Sequence, residues 1–220
     1  MTPEQLPVDA PAWAIESVSA GQPVVVRRAL SAPDHVAVGV RGRLREQRFA
    51  TVMSIAAIAR RVRPEDLCHA LIERDLPAVR ALNDLRPMLD DFGWAWGVSG
   101  SAGFELASGV QALHEGSDLD LILRTPQPLD RLKAQALVKI LDTAACQVDM
   151  QLQTPFGAVA NVRRSVPKLA LIRYRLRAAR CMSVNPRTCS CARQSKNTSR
   201  ASGSISSSCC RASGWYLMQR

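Results

Sequence analysis

The chain has 220 residues and a formal net charge of +10, a length that allows one large domain or two small ones, each with its own core. No stretch reaches the roughly 20 consecutive apolar residues of a membrane-spanning helix, and the N-terminus lacks a basic region followed by an apolar one. We therefore expect a cytoplasmic protein that does not bind membranes.

The positive charge is concentrated at the C-terminal end. Residues 161–220 hold 13 of the 29 Lys and Arg residues and no acidic residue, whereas residues 1–160 hold 16 basic and 19 acidic residues. The same segment is rich in Ser and Cys, and its cysteine spacing fits no zinc site. Because such a composition is typical of disorder, we predict a disordered or aberrant basic tail over residues 161–220.

An altered reading frame is our hypothesis for this tail, since codons of a GC-rich gene that are read out of frame favour Arg, Ser, Cys and Ala. The alternative is a natural basic tail that binds nucleic acid, a partner that we do not expect. Sequencing the gene around codon 160 separates the two. A single-base insertion or deletion there supports the altered frame, and an intact frame contradicts it.

Residues 1–63 predict a small β-rich module. Between residues 13 and 52, short apolar runs with many β-branched residues alternate with turn and charged residues, and three runs predict strands at residues 24–26, 36–40 and 49–52. The module carries six arginines, which form either a basic face for a phosphorylated ligand or acidic partner, or solvated charges at a sheet edge: Arg27, Arg28, Arg41, Arg43, Arg45 and Arg48.

Three helices are predicted next, over residues 53–62, from residue 64 to about residue 72, and over residues 76–89. Pro64, followed by two acidic residues, is typical of a helix start, and Leu71 belongs to the expected apolar side of the second helix. The third has leucine and valine residues at helical spacing. A soft domain boundary falls between residues 63 and 92, and we assign residues 64–160 to a second domain.

The sequence of the second domain predicts alternating strands and helices. In chain order these are a strand at 94–98, a helix at 102–108, a strand at 117–123, a helix at 129–144 and a strand at 147–153. Gly109 is expected to end the first of these helices. The inner side of the helix at 129–144 is predicted to contain Leu132, Leu137, Ile140 and Leu141.

Two aspartates share one face of the predicted strand at 117–123. Side chains alternate along a strand, so Asp118 and Asp120 lie opposite the leucines, and Asp149 projects from a neighbouring strand away from the core. Three such carboxylates can hold two divalent cations about 4 Å apart for an in-line displacement at phosphorus. Mg²⁺ is the expected metal because it binds carboxylates together with phosphate oxygens and water.

Gly100 and Ser101 lie in the turn between the strand at 94–98 and the next helix. A glycine lets the backbone approach a phosphate, the serine offers a hydroxyl, and N–H groups at a helix start attract anions. Each feature alone is common, and the alternative is a set of unrelated surface acids. The ordered set of Gly-Ser turn, Asp-x-Asp strand, helix and aspartate strand is much more specific to phosphoryl transfer.

Residues 96–109, 116–124, 148–151 and 154–159 carry a family resemblance. In these segments the chain resembles the nucleotidyltransferase superfamily of the DNA polymerase beta type. It is similar over residues 13–160 to malonate decarboxylase holo-acyl-carrier-protein synthases, also called phosphoribosyl-dephospho-coenzyme-A transferases. The resemblance implies an α+β fold with a nucleotidyltransferase-like mixed sheet and helices after the β-rich module. The family continues with an ordered C-terminal segment where this chain has its basic tail.

The resemblance also implies an activity. The family moves a prosthetic group from triphosphoribosyl-dephospho-CoA to a serine of the acyl-carrier subunit of malonate decarboxylase, releasing pyrophosphate with Mg²⁺ as cofactor. Asp118, Asp120 and Asp149 would be the catalytic and metal-binding residues. The phosphates would contact Gly100, Ser101 and Arg124, although a salt bridge explains Arg124 equally well.

Three alternatives remain open at this stage. The chain could be another nucleotidyltransferase acting on a small molecule or a protein, an inactive truncated remnant, or a protein without catalytic activity that binds nucleic acid through its tail. His114, in the loop before the Asp-x-Asp pair, and the arginines of the first module have no assigned role.

Overall fold

The computed structural model describes residues 1–44, 46–155, 157–159 and 216–218. Helices and two separate sheets confirm the predicted α+β fold. None of the helices in these ranges has the length and apolar character that a membrane crossing requires. The predicted tail lies outside the described residues except for three residues in a strand.

The first sheet has five antiparallel strands in the order β3-β2-β1-β9-β4. Its strands are β1 (Val24–Val26), β2 (His35–Arg41), β3 (Arg48–Ser54), β4 (Arg60–Val62) and β9 (Tyr216–Met218). The first three confirm the sequence prediction. One face of this sheet packs with helix α1 (Ala12–Ser19) around a small apolar core that includes Val24, Val38 and Val40.

The second sheet has four strands in the order β5-β6-β7-β8, with one parallel pair, β6 and β7, between two antiparallel pairs. It is therefore the mixed sheet that the resemblance implies. Its strands are β5 (Trp96–Val98), β6 (Leu119–Arg124), β7 (Val148–Thr154) and β8 (Gly157–Val159). Three helices accompany it: α2 (Pro77–Asp91), α3 (Gly100–Ser108) and α4 (Arg131–Leu141).

Alternating side chains fix which face of β6 and β7 meets the core. Leu119 and Leu121 on β6, and Val148 and Met150 on β7, are at most 1% exposed, so the residues between them point the other way. The parallel pairing needs a crossover, which α4 supplies. The side chain of Asp130 starts that helix by accepting a hydrogen bond from the Lys133 backbone N–H at 2.8 Å.

The helix predicted over residues 53–62 is wrong. Met53 and Ser54 instead end β3, a single 3₁₀ turn follows at Ile55–Ala57, and residues 60–62 form β4. Met53 and Ser54 pair with Val36 and His35 across the hairpin, so tertiary pairing overrides the helix propensity of the alanines. Helix α1 was also absent from the predicted elements.

The helix predicted from residue 64 is reduced to one 3₁₀ turn, Pro64–Leu67. The Arg86 guanidinium donates to the carbonyls of Cys68 (2.7 Å) and Ala70 (3.0 Å), so a side chain takes the place of the helical N–H groups that would satisfy them. Leu71, assigned to the apolar side, is 75% exposed. In α4 the prediction fails only in part, because Leu137 and Leu141 are buried but Leu132 is 78% exposed.

Candidate active site

The three predicted carboxylates come together at the start of β6 and β7. These strands pair in parallel with Asp120 opposite Asp149, and Asp118 lies two residues before Asp120 on the same face. One ligand oxygen from each of the three side chains lies within 4.8 Å of the other two. Asp120 and Asp149 are half-buried, Asp118 is the most open to solvent, and the Gln147 side-chain amide donates to Asp149 at 3.4 Å.

An all-oxygen set of three carboxylates, partly open to solvent, fits a hard divalent cation such as Mg²⁺, which keeps coordination positions for water and substrate oxygens. The three negative charges repel one another and would be neutralised by bound cations. The geometry can therefore hold metal for displacement at a phosphorus atom.

The Gly-Ser turn lies directly against these carboxylates. Ser99 donates its backbone N–H to the carbonyl oxygen of Asp120 at 2.9 Å, and α3 begins at Gly100. Gly100 has a φ of +59°, and a Cβ atom there would overlap the Asp120 carboxylate and lie 2.7 Å from its Cβ. Only glycine combines this backbone conformation with so close an approach.

A cleft of about 1090 Å³ lies between the two sheets and joins the predicted site to the first module. On one side is the carboxylate wall, which we define as Gly100, Ser101, Asp118 and Asp120. On the other is the arginine wall, which we define as Arg27, Arg41, Arg43 and Arg48. The predicted basic face is thus aimed at the carboxylates, except that Arg28 does not line the cleft and Arg45 lies outside the described residues.

Comparison with known proteins identifies the family. Two family models match, described as the phosphoribosyl-dephospho-CoA transferase MdcG N-terminal domain (residues 2–64) and C-terminal domain (residues 66–162). The chain belongs to the phosphoribosyl-dephospho-CoA transferase family. No solved structure matches it.

Several relatives named phosphoribosyl-dephospho-CoA transferase match the same part of the chain. One from Pseudomonas fluorescens strain Pf0-1 is 67% identical over 160 residues, which cover 73% of this chain and 78% of the relative. Another from Pseudomonas aeruginosa strain PAO1 is 56% identical over 162 residues (73% and 77%), and one from Azotobacter vinelandii strain DJ is 52% identical over 165 residues (73% and 78%). This chain is thus a member of a transferase family, and the family models end near the start of the basic tail.

Arg124 is not brought to the carboxylates in this transferase. It ends β6, four residues after Asp120, which corresponds to about 13 Å along a strand. Its Nε atom donates to Glu65 Oε1 in the 3₁₀ turn, and it does not line the cleft. Of the two roles considered for Arg124, the salt bridge is the one observed.

His114 does line the cleft. Its Nδ1 atom accepts a hydrogen bond from the Gly116 backbone N–H at 3.1 Å, and its own backbone N–H donates to Ser117 Oγ at 3.0 Å. These bonds fold the short turn that leads into Asp118. His114 therefore shapes the approach to the carboxylates through its local contacts.

Glu105 organises the same loop and was missed in the sequence. This buried carboxylate, 6% exposed, accepts hydrogen bonds from the backbone N–H groups of Ala112 (2.7 Å) and Leu113 (2.9 Å) and from Arg74 (2.6 Å). Burial alone raises the pKa of Glu105, but the hydrogen bonds and the Arg74 charge outweigh it and hold the pKa below its usual value. In the sequence, the signal for a role of Glu105 is an acidic residue among apolar neighbours in the helix predicted at 102–108.

Proposed function

We propose that the protein transfers the phosphoribosyl-dephospho-CoA group from triphosphoribosyl-dephospho-CoA to a serine of the acyl-carrier subunit of malonate decarboxylase, with release of pyrophosphate. The observation that carries the proposal is the cluster of Asp118, Asp120 and Asp149 within 4.8 Å, beside a phosphate-type turn, in a member of this family. The carrier subunit, the precursor and a cytoplasmic location are parts of the proposal.

The metal would be Mg²⁺, held by Asp118, Asp120 and Asp149. When bound, it supplies positive charge to the α-phosphate and lowers the pKa of the attacking hydroxyl. Asp149, on the neighbouring strand, is the carboxylate that prepares the hydroxyl. Asp118 and Asp120 orient the α-phosphate.

The reaction is an in-line displacement. The serine hydroxyl of the carrier passes its proton to the Asp149 carboxylate and its oxygen bonds to the α-phosphorus, while the bond from that phosphorus to the bridging oxygen breaks and pyrophosphate leaves. The N–H groups at the start of α3 and the Ser101 hydroxyl would donate to phosphate oxygens. Gly100 keeps this turn close enough to Asp120 for one substrate to contact both.

We also propose that the N-terminal β-rich module, residues 1–63, and the nucleotidyltransferase-like domain, residues 64–160, are separate units that share the cleft. Two apolar cores support this division. One is built from residues of the first sheet and α1, and the other mainly from the second sheet and its helices, with Val62 of β4 packed into it.

The test is to incubate the full chain with the apo carrier subunit, triphosphoribosyl-dephospho-CoA and Mg²⁺, and to measure the intact mass of the carrier. We expect the carrier to gain the mass of the prosthetic group with one pyrophosphate released per carrier, and a carrier with its acceptor Ser replaced by Ala to remain unmodified. A parallel reaction with ATP in place of the precursor tests for another nucleotidyltransferase. Labelling from ATP alone contradicts the proposal, and no transfer from either donor identifies an inactive remnant.

A further inference from the structure

The arginine wall has no part in the chemistry described so far, although it faces the carboxylates across the cleft. We propose that Arg41, with Arg27 beside it, binds the two outer phosphates of the precursor's triphosphate, so that the N-terminal module completes the phosphate site of the transferase. This inference rests on the proposed function and names residues that bind the leaving pyrophosphate.

Strand register puts these arginines on one face of the first sheet. Arg41 on β2 pairs with Arg48 on β3, and Gly39 pairs with both Val25 and Ala50, so the four side chains of these five residues share the face opposite the small apolar core. Three small or medium residues of this face line the cleft and form what we call its floor: Val25, Gly39 and Ala50. Arg41 and Arg48 lie two residues further along β2 and β3 on the same face.

Arg27 lies over this floor because Gly39 leaves room for it. A Cβ atom on Gly39 would be 3.1 Å from Arg27 Cδ, so the alkyl part of Arg27 rests against the glycine. In the described part of the chain, no side-chain hydrogen bond or ion pair is found for the Arg27 guanidinium. Arg27 therefore offers an exposed cation inside the cleft.

Arg41 joins the two walls. Its guanidinium donates to Ser101 Oγ at 2.7 Å and to the Gly100 carbonyl at 3.5 Å, and its central carbon lies 5.0 Å from the centre of the Phe104 ring. Phe104 is 2% exposed, so the guanidinium is held in place by a fixed aromatic face and by the turn. A phosphate at the Gly-Ser turn would contact an arginine that is already oriented.

The ligand class follows from the position of these charges. They line the same cleft as the proposed metal-binding carboxylates Asp118 and Asp120. When the bond to the α-phosphorus breaks, negative charge accumulates on the pyrophosphate, and guanidinium groups bind phosphate oxygens in a two-pronged geometry. A polyphosphate chain in the cleft could bind the metal at the carboxylate wall and the guanidinium groups of the arginine wall at the same time.

Two parts of the precursor carry phosphate, the triphosphate and the diphosphate within dephospho-CoA, so both are tested as separate probes. Calorimetric titration of the full chain with inorganic tripolyphosphate, and in parallel with dephospho-CoA, is carried out at fixed Mg²⁺. We expect Arg41→Gln to weaken tripolyphosphate binding about tenfold or more, the loss of a charge-assisted hydrogen bond, and Arg27→Gln to weaken it less. Arg60→Gln, an exposed arginine of β4 outside the cleft, is the matched control.

Tripolyphosphate bound as tightly by Arg41→Gln and Arg27→Gln as by the wild type overturns the inference, as does an effect confined to dephospho-CoA. If Arg41→Gln does not fold, Arg27→Gln still provides the test, because Arg27 is exposed. Partial recovery of tripolyphosphate binding in Arg41→Lys would show that the charge of Arg41 contributes in addition to its packing. The titrations need neither carrier nor turnover. If the chain binds tripolyphosphate through its arginines but does not transfer the prosthetic group, the result counts against the proposed function alone.

Discussion

The two walls of the cleft differ in how they are encoded in the chain. The carboxylate wall comes from a continuous motif region, in which the turn and the Asp-x-Asp strand are separated by fewer than about 20 residues and are set by strand alternation. The arginine wall comes from β2, β3 and the segments that follow β1 and β2, and it faces the carboxylates only because the first sheet packs against the turn. The proposed metal site is thus encoded locally in the sequence, whereas the proposed phosphate site on the other wall depends on tertiary packing.

The largest effect is expected at the carboxylate wall. Asp118→Asn and Asp120→Asn each remove a charge with little change in volume, so we expect transfer to fall by at least about 1000-fold while thermal unfolding stays close to wild type. The rate of carrier modification measures this. Asp84→Asn, at an exposed aspartate of α2 that does not line the cleft, is the control. Near-normal rates in both active-site variants would defeat the two-metal proposal.

The contact between the turn and Asp120 is tested next by Gly100→Ala. The added Cβ must displace Asp120, and a displacement of about 1 Å can reduce the rate about 100-fold. Gly109→Ala separates backbone strain from displacement of Asp120. Gly109 also has a positive φ of 72°, but nothing lies within 4 Å of its Cβ position. We expect Gly109→Ala to lose about 1 kcal/mol of stability with transfer retained; equal losses of transfer in the two variants would show that strain alone matters.

The arginines give a smaller, kinetic effect. Arg41→Gln is expected to raise the KM for the precursor about tenfold, because it removes a cation that contacts the phosphates. Arg124→Gln should leave that KM within about twofold and instead lower the unfolding temperature, since it leaves Glu65 without its ion-pair partner. Steady-state kinetics of carrier modification and thermal unfolding separate the two roles, and the reverse pattern would restore Arg124 as the phosphate ligand.

The smallest effect concerns the loop held by Glu105. The pKa of Glu105 is lower in the folded chain than its ordinary value of 4.5, so its contribution to stability is present above that value and is lost as the pH falls through the folded pKa. Glu105→Gln should lose about 2 kcal/mol at pH 7 and show a weaker fall in unfolding temperature between pH 5 and pH 3 than the wild type. Parallel pH curves for the two proteins would contradict this role.

The sequence predicted that Asp118 and Asp120 share a face near Asp149, because strand alternation is nearly independent of context. Leu119, Asp120 and Leu121 alternate in the structure as they do in the pattern. It failed where long-range contacts decide the outcome, as at Met53, which pairs across a hairpin, and at Cys68, whose carbonyl is bound by Arg86. Glu105 and Arg41 were not assigned a role for the same reason, since their partners come from distant parts of the chain.

Metal binding by the carboxylate wall is the most direct test of the account. Mn²⁺, which prefers oxygen ligands as Mg²⁺ does, can be titrated into the full chain while electron paramagnetic resonance reports the free ion, so neither substrate nor turnover is needed. We predict saturable Mn²⁺ binding that Asp120→Asn loses, that Asp84→Asn keeps, and that tripolyphosphate strengthens. Equal Mn²⁺ binding by wild type and Asp120→Asn would contradict the central claim that these carboxylates form the metal site.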